Sequence, residues 1–231
     1  RMTYITGDTH GDFRRIKEFC RLADTTAEDV IVILGDAGIN YYGNESDGRL
    51  KYILSKLPVT LFCIHGNHEM RPQKLPDYEQ IIWNGGIVYK ESKYPNLLFA
   101  ADGEIYDLDG LKCLVIGGAY SVDKGYRLMK GYGWWDDEQP SEEIKRKTEA
   151  VLKDNPINIV LSHTCPLKYQ PAEAFLSCVN QKTVDTSTEE WLDHIEEITD
   201  YKKWYCGHYH IRKRTDKLQF MFDDIEELKI R

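Results

Sequence analysis

Short runs of apolar, mostly β-branched residues recur along the first part of the chain, and each ends in a polar, glycine-containing turn. The runs are Met2 to Thr6, Val30 to Leu34 and Pro58 to Ile64. Between them, the segments Asp12 to Ala23 and Asp47 to Leu57 read as helices, the first with apolar residues at helical spacing. Strands and helices that alternate at these lengths predict βαβ units, and therefore a sheet with parallel strands.

The middle of the chain has a different pattern of apolar and polar residues. From Ile81 to Tyr120, short strand-like runs are separated by glycine, asparagine and Asp-Gly turns, with no long helix among them. Closely spaced strands joined by such turns are typical of antiparallel pairing. We therefore predict a second, more antiparallel sheet in this part of the chain.

The last part of the chain returns to alternating helices and strands. The predicted helices are Ser141 to Lys153, capped by Ser141, and Thr188 to Thr199. The predicted strands are Ile157 to Leu161, the start of "KKWYCGHYH", Leu218 to Asp223 and Leu228 to Ile230. We find no internal repeat, low-complexity segment or linker, so residues 1–231 are predicted to form one domain of the α/β class.

Composition narrows the classes of function. The 231 residues include 38 acidic and 30 basic side chains, a formal charge of −8, so we do not expect a broad electrostatic surface for nucleic acid or anionic membrane. No apolar run is long enough to span a membrane, and no charged-then-apolar leader is visible. The six cysteines are spread out with no C-x-x-C pair, which suits buried thiols in a reducing compartment. We therefore expect a cytoplasmic protein.

Five of the apolar runs end in residues that can bind a metal ion. In chain order, these residues are Asp8 and His10, then Asp36, then Asn67 and His68, then His163, and finally His208 and His210. The carboxyl ends of parallel strands lie at one edge of a sheet, so these side chains are expected to converge. Oxygen and imidazole ligands together suit Mn²⁺, Fe or Zn²⁺ better than a thiolate-binding ion. The set is too large for one tetrahedral ion and is about right for two.

The motifs at these strand ends resemble those of a known family. In order, they are "GDTHG" (7–11), "GD" (35–36), "GNHE" (66–69), "SH" (162–163) and "GHYH" (207–210). Each motif alone is weak, but the ordered set resembles the calcineurin-like metallophosphoesterases from end to end of the chain. The resemblance implies a four-layer αββα sandwich, in which two mixed β-sheets are flanked by helices.

The resemblance also implies roles for the strand-end residues. It implies two ligand sets that share Asp36 as a bridge: Asp8, His10 and His210 for one ion, and Asn67, His163 and His208 for the other. His68 would not bind a metal and would protonate the leaving oxygen. The implied activity is hydrolysis of phosphate mono- or diesters by in-line attack of a metal-bridging hydroxide. The two divalent ions are expected to be Mn²⁺, with Fe, Zn²⁺ or Ni²⁺ as alternatives.

Other functions stay open at this point. A non-catalytic interaction module on the same fold would be expected to lack some ligands, whereas this set is complete. A nuclease that acts on short or single-stranded nucleic acid would need a local basic loop. After Asp36 the chain reads "AGINYYG", with no arginine before Arg49, whereas the phosphoprotein phosphatases of the superfamily carry Val-Asp-Arg-Gly there. We therefore expect a broader phosphoesterase, either a phosphatase or a phosphodiesterase.

The segment Tyr120 to Trp135 interrupts the alternation of strands and helices and is rich in aromatic and basic residues. As a loop facing the substrate, it would supply Arg127 as a phosphate clamp, and Tyr120 and Trp134 as an apolar or stacking wall. Alternatively, its aromatic residues cap the edge of the core and its cations are solvated. The sequence favours neither interpretation over the other.

Overall fold

The computed structural model describes residues 1–231 and contains five α-helices and 13 β-strands. The helices are α1 (Arg14–Ala23), α2 (Gly48–Ser55), α3 (Lys124–Lys130), α4 (Glu142–Asp154) and α5 (Ser187–Ile198). The strands are β1 (Thr3–Thr6), β2 (Val30–Ile33), β3 (Thr60–Cys63), β4 (Glu79–Trp83), β5 (Gly86–Lys90), β6 (Leu97–Ala100), β7 (Ile105–Leu108), β8 (Leu111–Ile116), β9 (Ile159–Ser162), β10 (Lys203–Cys206), β11 (Lys213–Thr215), β12 (Leu218–Phe220) and β13 (Ile225–Glu227). None of the helices combines the length and the apolar character needed to cross a membrane.

The strands form two sheets. The first sheet has the order β13-β1-β2-β3-β6-β5-β4, and its central strands β1, β2, β3 and β6 are parallel. The second sheet has the order β11-β12-β10-β9-β8-β7, with β12, β10, β9 and β8 parallel. Antiparallel pairs close both edges of each sheet, so both sheets are mixed.

Alternate residues of a central strand face opposite layers, because side chains along a strand alternate between its two faces. In β2, Val30 and Val32 belong to the core between the two sheets, whereas Ile31 and Ile33 belong to the core between the first sheet and its helices. All four are buried. A strand that is apolar on both faces is what a sheet covered on both faces requires.

Helices cover the outer face of each sheet. Ile16 and Cys20 of α1 are one helical turn apart and pack on the first sheet. Trp191, Leu192 and Ile195 of α5 pack on the second sheet. The layers are therefore helices, sheet, sheet and helices, which confirms the αββα sandwich that the family resemblance implies.

The structure corrects three predictions. The strands β4, β5 and β6 do not belong to a second sheet, because they extend the first sheet from β3; only β7 and β8 join the second sheet. The last strand lies at Ile225–Glu227, where it pairs with β1, rather than at Leu228 to Ile230. The segment Tyr120 to Trp135 contains a helix, α3, where the pattern predicts none. Local pattern detects a strand but not its partner, since pairing depends on residues distant along the chain.

Candidate metal centre

The polar strand ends of the two sheets meet at one place. The residues that follow the central strands are Asp8, Asp36 and Asn67 in the first sheet, and His163 and His208 in the second. Two hydrogen bonds join these ends: His163 Nδ1 donates to Leu34 O over 2.7 Å, and His208 N donates to Asp8 Oδ1 over 2.9 Å. The strand ends therefore form one site at the seam between the sheets.

Three overlapping groups of side chains have ligand atoms close enough to share a cation. The groups are Asp8, His10 and His210; Asp36, His163 and His208; and His10, Asp36 and His68. Within each group the ligand atoms lie within 4.8 Å of one another. Asp36 lies between the first two groups, since its Oδ2 is 3.8 Å from His10 Nε2 and 3.4 Å from His163 Nε2. With Asn67, whose Oδ1 lies 2.9 Å from His163 Nε2, the structure thus brings together every residue that the resemblance assigns to the two ions.

Around His163, three hydrogen-bond acceptors face one another. Its Nδ1 carries a proton, because it donates to a backbone carbonyl, so Nε2 of the neutral ring is an acceptor. That Nε2 lies 2.9 Å from Asn67 Oδ1 and 3.4 Å from Asp36 Oδ2. Such a cluster is stable only around positive charge, which is either a proton on His163 or a bound metal ion. The residues present therefore fit a metal ion at this position.

Ser121 and Glu138 set the orientation of the Asn67 amide. Ser121 Oγ donates to the Glu138 carboxylate over 2.5 Å and is therefore left to accept a hydrogen bond from Asn67 Nδ2, over 3.0 Å. Because Nδ2 faces Ser121, Oδ1 faces His163 and the site. The sequence analysis missed both residues, since neither lies in one of the five motifs.

Burial and charge act in opposite directions on the site residues. Burial alone would lower the pKa of His163, but the Asp36 and Asp8 carboxylates raise it to about 10. Burial alone would raise the pKa of Asp36, but the neighbouring imidazoles, His163 above all, hold it well below its usual value. The pKa of His208 falls to about 3 because the ring is buried and lies beside His163. The carboxylates therefore stay ionised, and the site attracts cations.

Glu69, the last residue of the "GNHE" motif, holds two of the loops together. Its buried carboxyl group accepts hydrogen bonds from Gly66 N over 2.7 Å and from Asp36 N over 2.9 Å. In the opposite direction, His68 N donates to Asp36 Oδ1 over 2.8 Å. The loops that follow β2 and β3 are thus tied to each other on both sides of Asp36.

Four of the candidate site residues have a left-handed backbone. They are His10 (φ 47°), Asp36 (φ 52°), His208 (φ 72°) and His210 (φ 56°), which is half of the eight non-glycine residues with positive φ. This conformation costs a non-glycine residue about 1–2 kcal/mol and persists only where surrounding contacts hold it. One such contact is the hydrogen bond from His10 N to Asp36 O, over 2.8 Å. The tight turns that aim these side chains are therefore maintained by the folded loops.

Two glycines of the motifs make room for the candidate ligands. A Cβ on Gly66 would collide with the Asp36 carboxylate. A Cβ on Gly35, whose φ is +91°, would collide with the imidazole of His163. The glycines beside Asp36 and Asn67 in the motifs therefore follow from the close approach of backbone to ligand.

His68 lies in a cleft beside the candidate ligands. The cleft has a volume of about 200 Å³ and is also lined by Asp36, Asn67, His208 and His210. His68 Nδ1 is 3.9 Å from Asp36 Oδ2. Burial lowers the pKa of His68, because removal from water disfavours the charged form of the ring.

The three predicted substrate contacts occupy different positions. Tyr120 lines the cleft. Arg127 lies in α3, is buried, and donates from Nε to Asp123 Oδ2 over 2.9 Å; Asp123 in turn lines the cleft. Trp134 packs beneath the ammonium group of Lys124, which is 4.2 Å from the ring centre, and does not line the cleft. Of the three, only Tyr120 borders the cleft, and Arg127 lies behind Asp123.

The sequence analysis missed an apolar part of the lining of the cleft that also contains the candidate ligands. This part comes from one segment between β9 and α5, residues 170–184, which contributes Ala174, Phe175, Leu176, Val179 and Val184. The segment contains only short helical turns, so no helix or strand period marks it. In the sequence, this segment could have been recognised by a cluster of apolar residues that lies outside any predicted helix or strand.

Solved structures with a similar fold extend over nearly the whole chain. TT1561 of Thermus thermophilus is 16% identical, with a TM-score of 0.53, and the match covers 100% of this chain and 99% of that chain. A second solved structure is 12% identical, with a TM-score of 0.53, over 96% of this chain and 89% of that chain. Phosphopantetheinyl hydrolase (PptH) from Mycobacterium tuberculosis is 14% identical, with a TM-score of 0.43, over 96% of this chain and 88% of that chain.

The family of the chain follows from a match to a family model. No curated protein matches the chain. The model described as calcineurin-like phosphoesterase matches residues 2–212, a range that contains all five strand-end motifs and the whole site at the seam between the sheets. The chain therefore belongs to the calcineurin-like phosphoesterases, a family of metal-dependent phosphoesterases.

Proposed function

We propose that this chain is a dinuclear metal-dependent phosphoesterase that hydrolyses phosphate mono- or diesters. The observation that carries the proposal is the convergence of two carboxylates, one amide and four imidazoles in two groups that meet at Asp36. Family membership supports the reaction class. No residue of the implied ligand set is missing, which favours an enzyme over a non-catalytic module on the same fold.

The proposed ligands divide between two ions. We assign Asp8, His10 and His210 to one ion, Asn67, His163 and His208 to the other, and Asp36 to both. Mixed oxygen and imidazole ligands suit Mn²⁺, with Fe, Zn²⁺ or Ni²⁺ as alternatives. When bound, two divalent ions offset the charge of the phosphate group and lower the pKa of the attacking water.

The charge of the cleft explains why cations are needed. Its lining includes the carboxylates of Asp36 and Asp123, but no lysine or arginine. A phosphate ester is itself an anion, so the side chains alone repel it. We therefore expect the protein to bind inorganic phosphate only when it is loaded with divalent ions.

His68 is the proposed general acid. It lines the cleft beside Asp36 and lies within 3.9 Å of a second carboxylate, since its Nε2 is that far from Asp123 Oδ1. Burial, the Arg127 guanidinium and the His10 ring favour neutral His68, whereas the two carboxylates favour the protonated ring, and the net effect lowers its pKa. When it is protonated, a ring of lowered pKa is a stronger acid than an exposed histidine, which suits transfer of a proton to the leaving oxygen.

The proposal is tested with the Mn²⁺-loaded protein and a panel of phosphomonoesters, phosphodiesters, nucleotides, phosphopeptides and short single-stranded oligonucleotides. Asp36→Asn should lose bound metal and nearly all turnover. His194→Asn is the matched control, because His194 is exposed on α5 and pairs with Glu149 away from the site. Turnover that survives chelation of the metal, or an Asp36→Asn variant with full activity, would contradict the proposal. Activity confined to the oligonucleotides would assign the nuclease function instead.

A further inference from the structure

The cleft beside the candidate ligands has two unlike walls. One wall is polar and includes Asp36, Asn67, His68, His208 and His210. The other is the apolar wall, which we define as Ala174, Phe175, Leu176, Val179 and Val184 of segment 170–184. Eight of the 17 residues that line the cleft are hydrophobic. An apolar surface and the candidate ligands therefore border the same cleft, which has a volume of about 200 Å³.

The apolar wall does not contribute to the packed interior. None of its five residues belongs to the three hydrophobic cores, and Leu176 is 54% exposed. Apolar surface left in contact with water is unfavourable, and a contiguous apolar surface with a polar rim is typical of a binding site. The wall lies outside the three cores and borders the cleft, where a ligand can cover it.

Contacts at both ends hold segment 170–184 in place. At its start, Gln170 Nε2 donates to the hydroxyl of Tyr209, over 3.2 Å. Just beyond its end, Asp185 Oδ2 accepts a hydrogen bond from Gln139 Nε2, over 3.2 Å. Both ends of the segment that carries the apolar wall are therefore anchored to the rest of the fold, which reduces the entropy lost on binding.

We propose that the apolar wall is a subsite for the leaving group of the phosphate ester, and that the substrates carry an alkyl or aromatic leaving group. The inference rests on the proposed function, because the phosphoryl group must sit at the candidate ligands. In the reaction, water adds to phosphorus and the bond from phosphorus to the leaving oxygen breaks. The leaving oxygen takes up one proton, so that ester and water become alcohol and phosphate. The alcohol portion then lies directly beside the phosphoryl group, on the side of the cleft that segment 170–184 forms.

Binding of alkylphosphonates tests the subsite without requiring turnover, because their carbon–phosphorus bond is not hydrolysed by a phosphoesterase. We expect the Mn²⁺-loaded protein to bind hexylphosphonate at least ten times more tightly than ethylphosphonate in calorimetric titrations. Each fully buried methylene group strengthens binding about fourfold, and the two ligands differ by four such groups. Ethylphosphonate supplies the same phosphonate group and therefore controls for metal binding.

Variants locate the effect on the apolar wall. Leu176→Asn should reduce the preference for hexylphosphonate to less than about one third of the wild-type value, because one wall of the subsite becomes polar. Leu22→Asn is the matched control, since Leu22 is also exposed, at 69%, but lies on α1 outside the cleft. Phe175→Ala is a second variant that removes apolar surface without introducing a polar group, and it should reduce the preference in the same direction.

The outcomes separate the subsite from the proposed function. Equal binding of the two phosphonates, or a preference that Leu176→Asn and Phe175→Ala leave unchanged, overturns the subsite. Hydrolysis of ethyl and hexyl phosphate with equal kcat/KM also overturns it while supporting the phosphoesterase function, because the two leaving alcohols have similar pKa values. A preserved preference in binding, together with no hydrolysis of any ester, rejects the enzymatic function and the leaving-group role, and leaves the apolar wall as a binding surface only.

Discussion

The orientation of one amide group illustrates how the site depends on single residues. Asn67 can present either its oxygen or its NH₂ group to His163, and only the oxygen is a metal ligand. Ser121 decides between them, because its own proton is directed to Glu138 and its oxygen must accept from the amide. Groups that orient metal ligands in this way contribute strongly to metal affinity.

This arrangement predicts the effect of Ser121→Ala. The variant should weaken Mn²⁺ binding by about 10–100-fold, the range typical for lost partners of metal ligands. Titration of the metal-free protein with Mn²⁺ measures the change. Ser55→Ala is the matched control, since Ser55 Oγ donates only to a carbonyl at the exposed end of α2. Equal Mn²⁺ affinity in the two variants would show that Ser121 does not orient Asn67.

His68 should be separable from the metal ligands by its effect on different esters. His68→Asn is expected to keep both metal ions and to lose about 10²–10⁴-fold in turnover on alkyl esters, whose leaving oxygen needs a proton. Nitrophenyl esters need less help, because nitrophenolate is a stable leaving group. The measurement is kcat/KM for both ester types together with metal content. A loss of the same factor on both would reject protonation of the leaving group as the role of His68.

The raised pKa of Glu189 predicts how the stability of the folded chain depends on pH. This residue is buried in the first turn of α5, and burial raises its pKa to about 8, whereas an unfolded glutamate titrates near 4.3. The folded state therefore holds the proton more tightly, so this contribution to stability is complete below pH 4 and is lost as the pH rises toward 8. The melting temperature of Glu189→Gln relative to wild type should increase steadily between pH 5 and 8. A difference that does not change with pH would contradict the raised pKa.

At the scale of elements, α3 places a charged pair at the edge of the cleft. Asp123 and Arg127 are one helical turn apart, and their side chains pair over 2.9 Å. Arg127 Nη1 also donates to a backbone carbonyl, that of Gly133, over 2.6 Å. Asp123, the residue before the helix, therefore presents its carboxylate to the cleft, and the Arg127 guanidinium lies immediately behind it.

A contact between Arg127 and the phosphate group stays a prediction, and its effect on kcat/KM can be estimated. A hydrogen bond to a charged group contributes about 1.5–3 kcal/mol, so Arg127→Ala should lower kcat/KM by about ten- to a hundredfold and leave metal content unchanged. Trp134 does not line the cleft, so Trp134→Ala is expected to leave the ranking of esters that differ only in the leaving group unchanged. Unchanged kinetics in both variants would leave these residues a purely structural role in the segment Tyr120 to Trp135.

A helix can be predicted from the sequence where it has a cap or a stripe of apolar residues. The structure places α5 at Ser187–Ile198, one residue from the predicted helix, and Ser141 caps α4 by accepting a hydrogen bond from Ile144 N over 3.2 Å. Both helices have local signals in the sequence. In contrast, α3 has only seven residues and exposes Leu128 and Met129, so it lacks the apolar stripe by which a helix is recognised.

At the scale of the whole molecule, the candidate ligands come from both sheets. Asp8, Asp36 and Asn67 follow strands of the first sheet, and His163 and His208 follow strands of the second. Ions bound by both sets would connect the two sheets, and an ion that binds only the folded state stabilises it. Metal binding should therefore be measurable as thermal stability of the whole chain.

Removal of metal should lower the melting temperature. Mn²⁺ at 100 times its dissociation constant contributes about 2.7 kcal/mol per site, which for a chain of this size corresponds to roughly 5–10 °C. His208→Ala should remove most of that shift, whereas His194→Ala, on the surface of α5, should keep it. Thermal scans with Mn²⁺ and with a chelator measure the difference. The same shift in both variants would place the bound metal elsewhere.

By itself, the sequence determined the apolar strands, the polar turns that end them and the residues of those turns that can bind metal, because each depends on neighbours within a few positions. Only the tertiary structure decided which strands pair, so that β6 joins β3 while β8 joins β9. Ser121 reaches Asn67 across 54 positions of the chain, and His163 reaches Leu34 across 129. Likewise, the residues of the apolar wall border the same cleft as the candidate ligands only because of the fold. Contacts of this kind follow from how the two sheets pack, and that packing cannot be predicted from local periodicity.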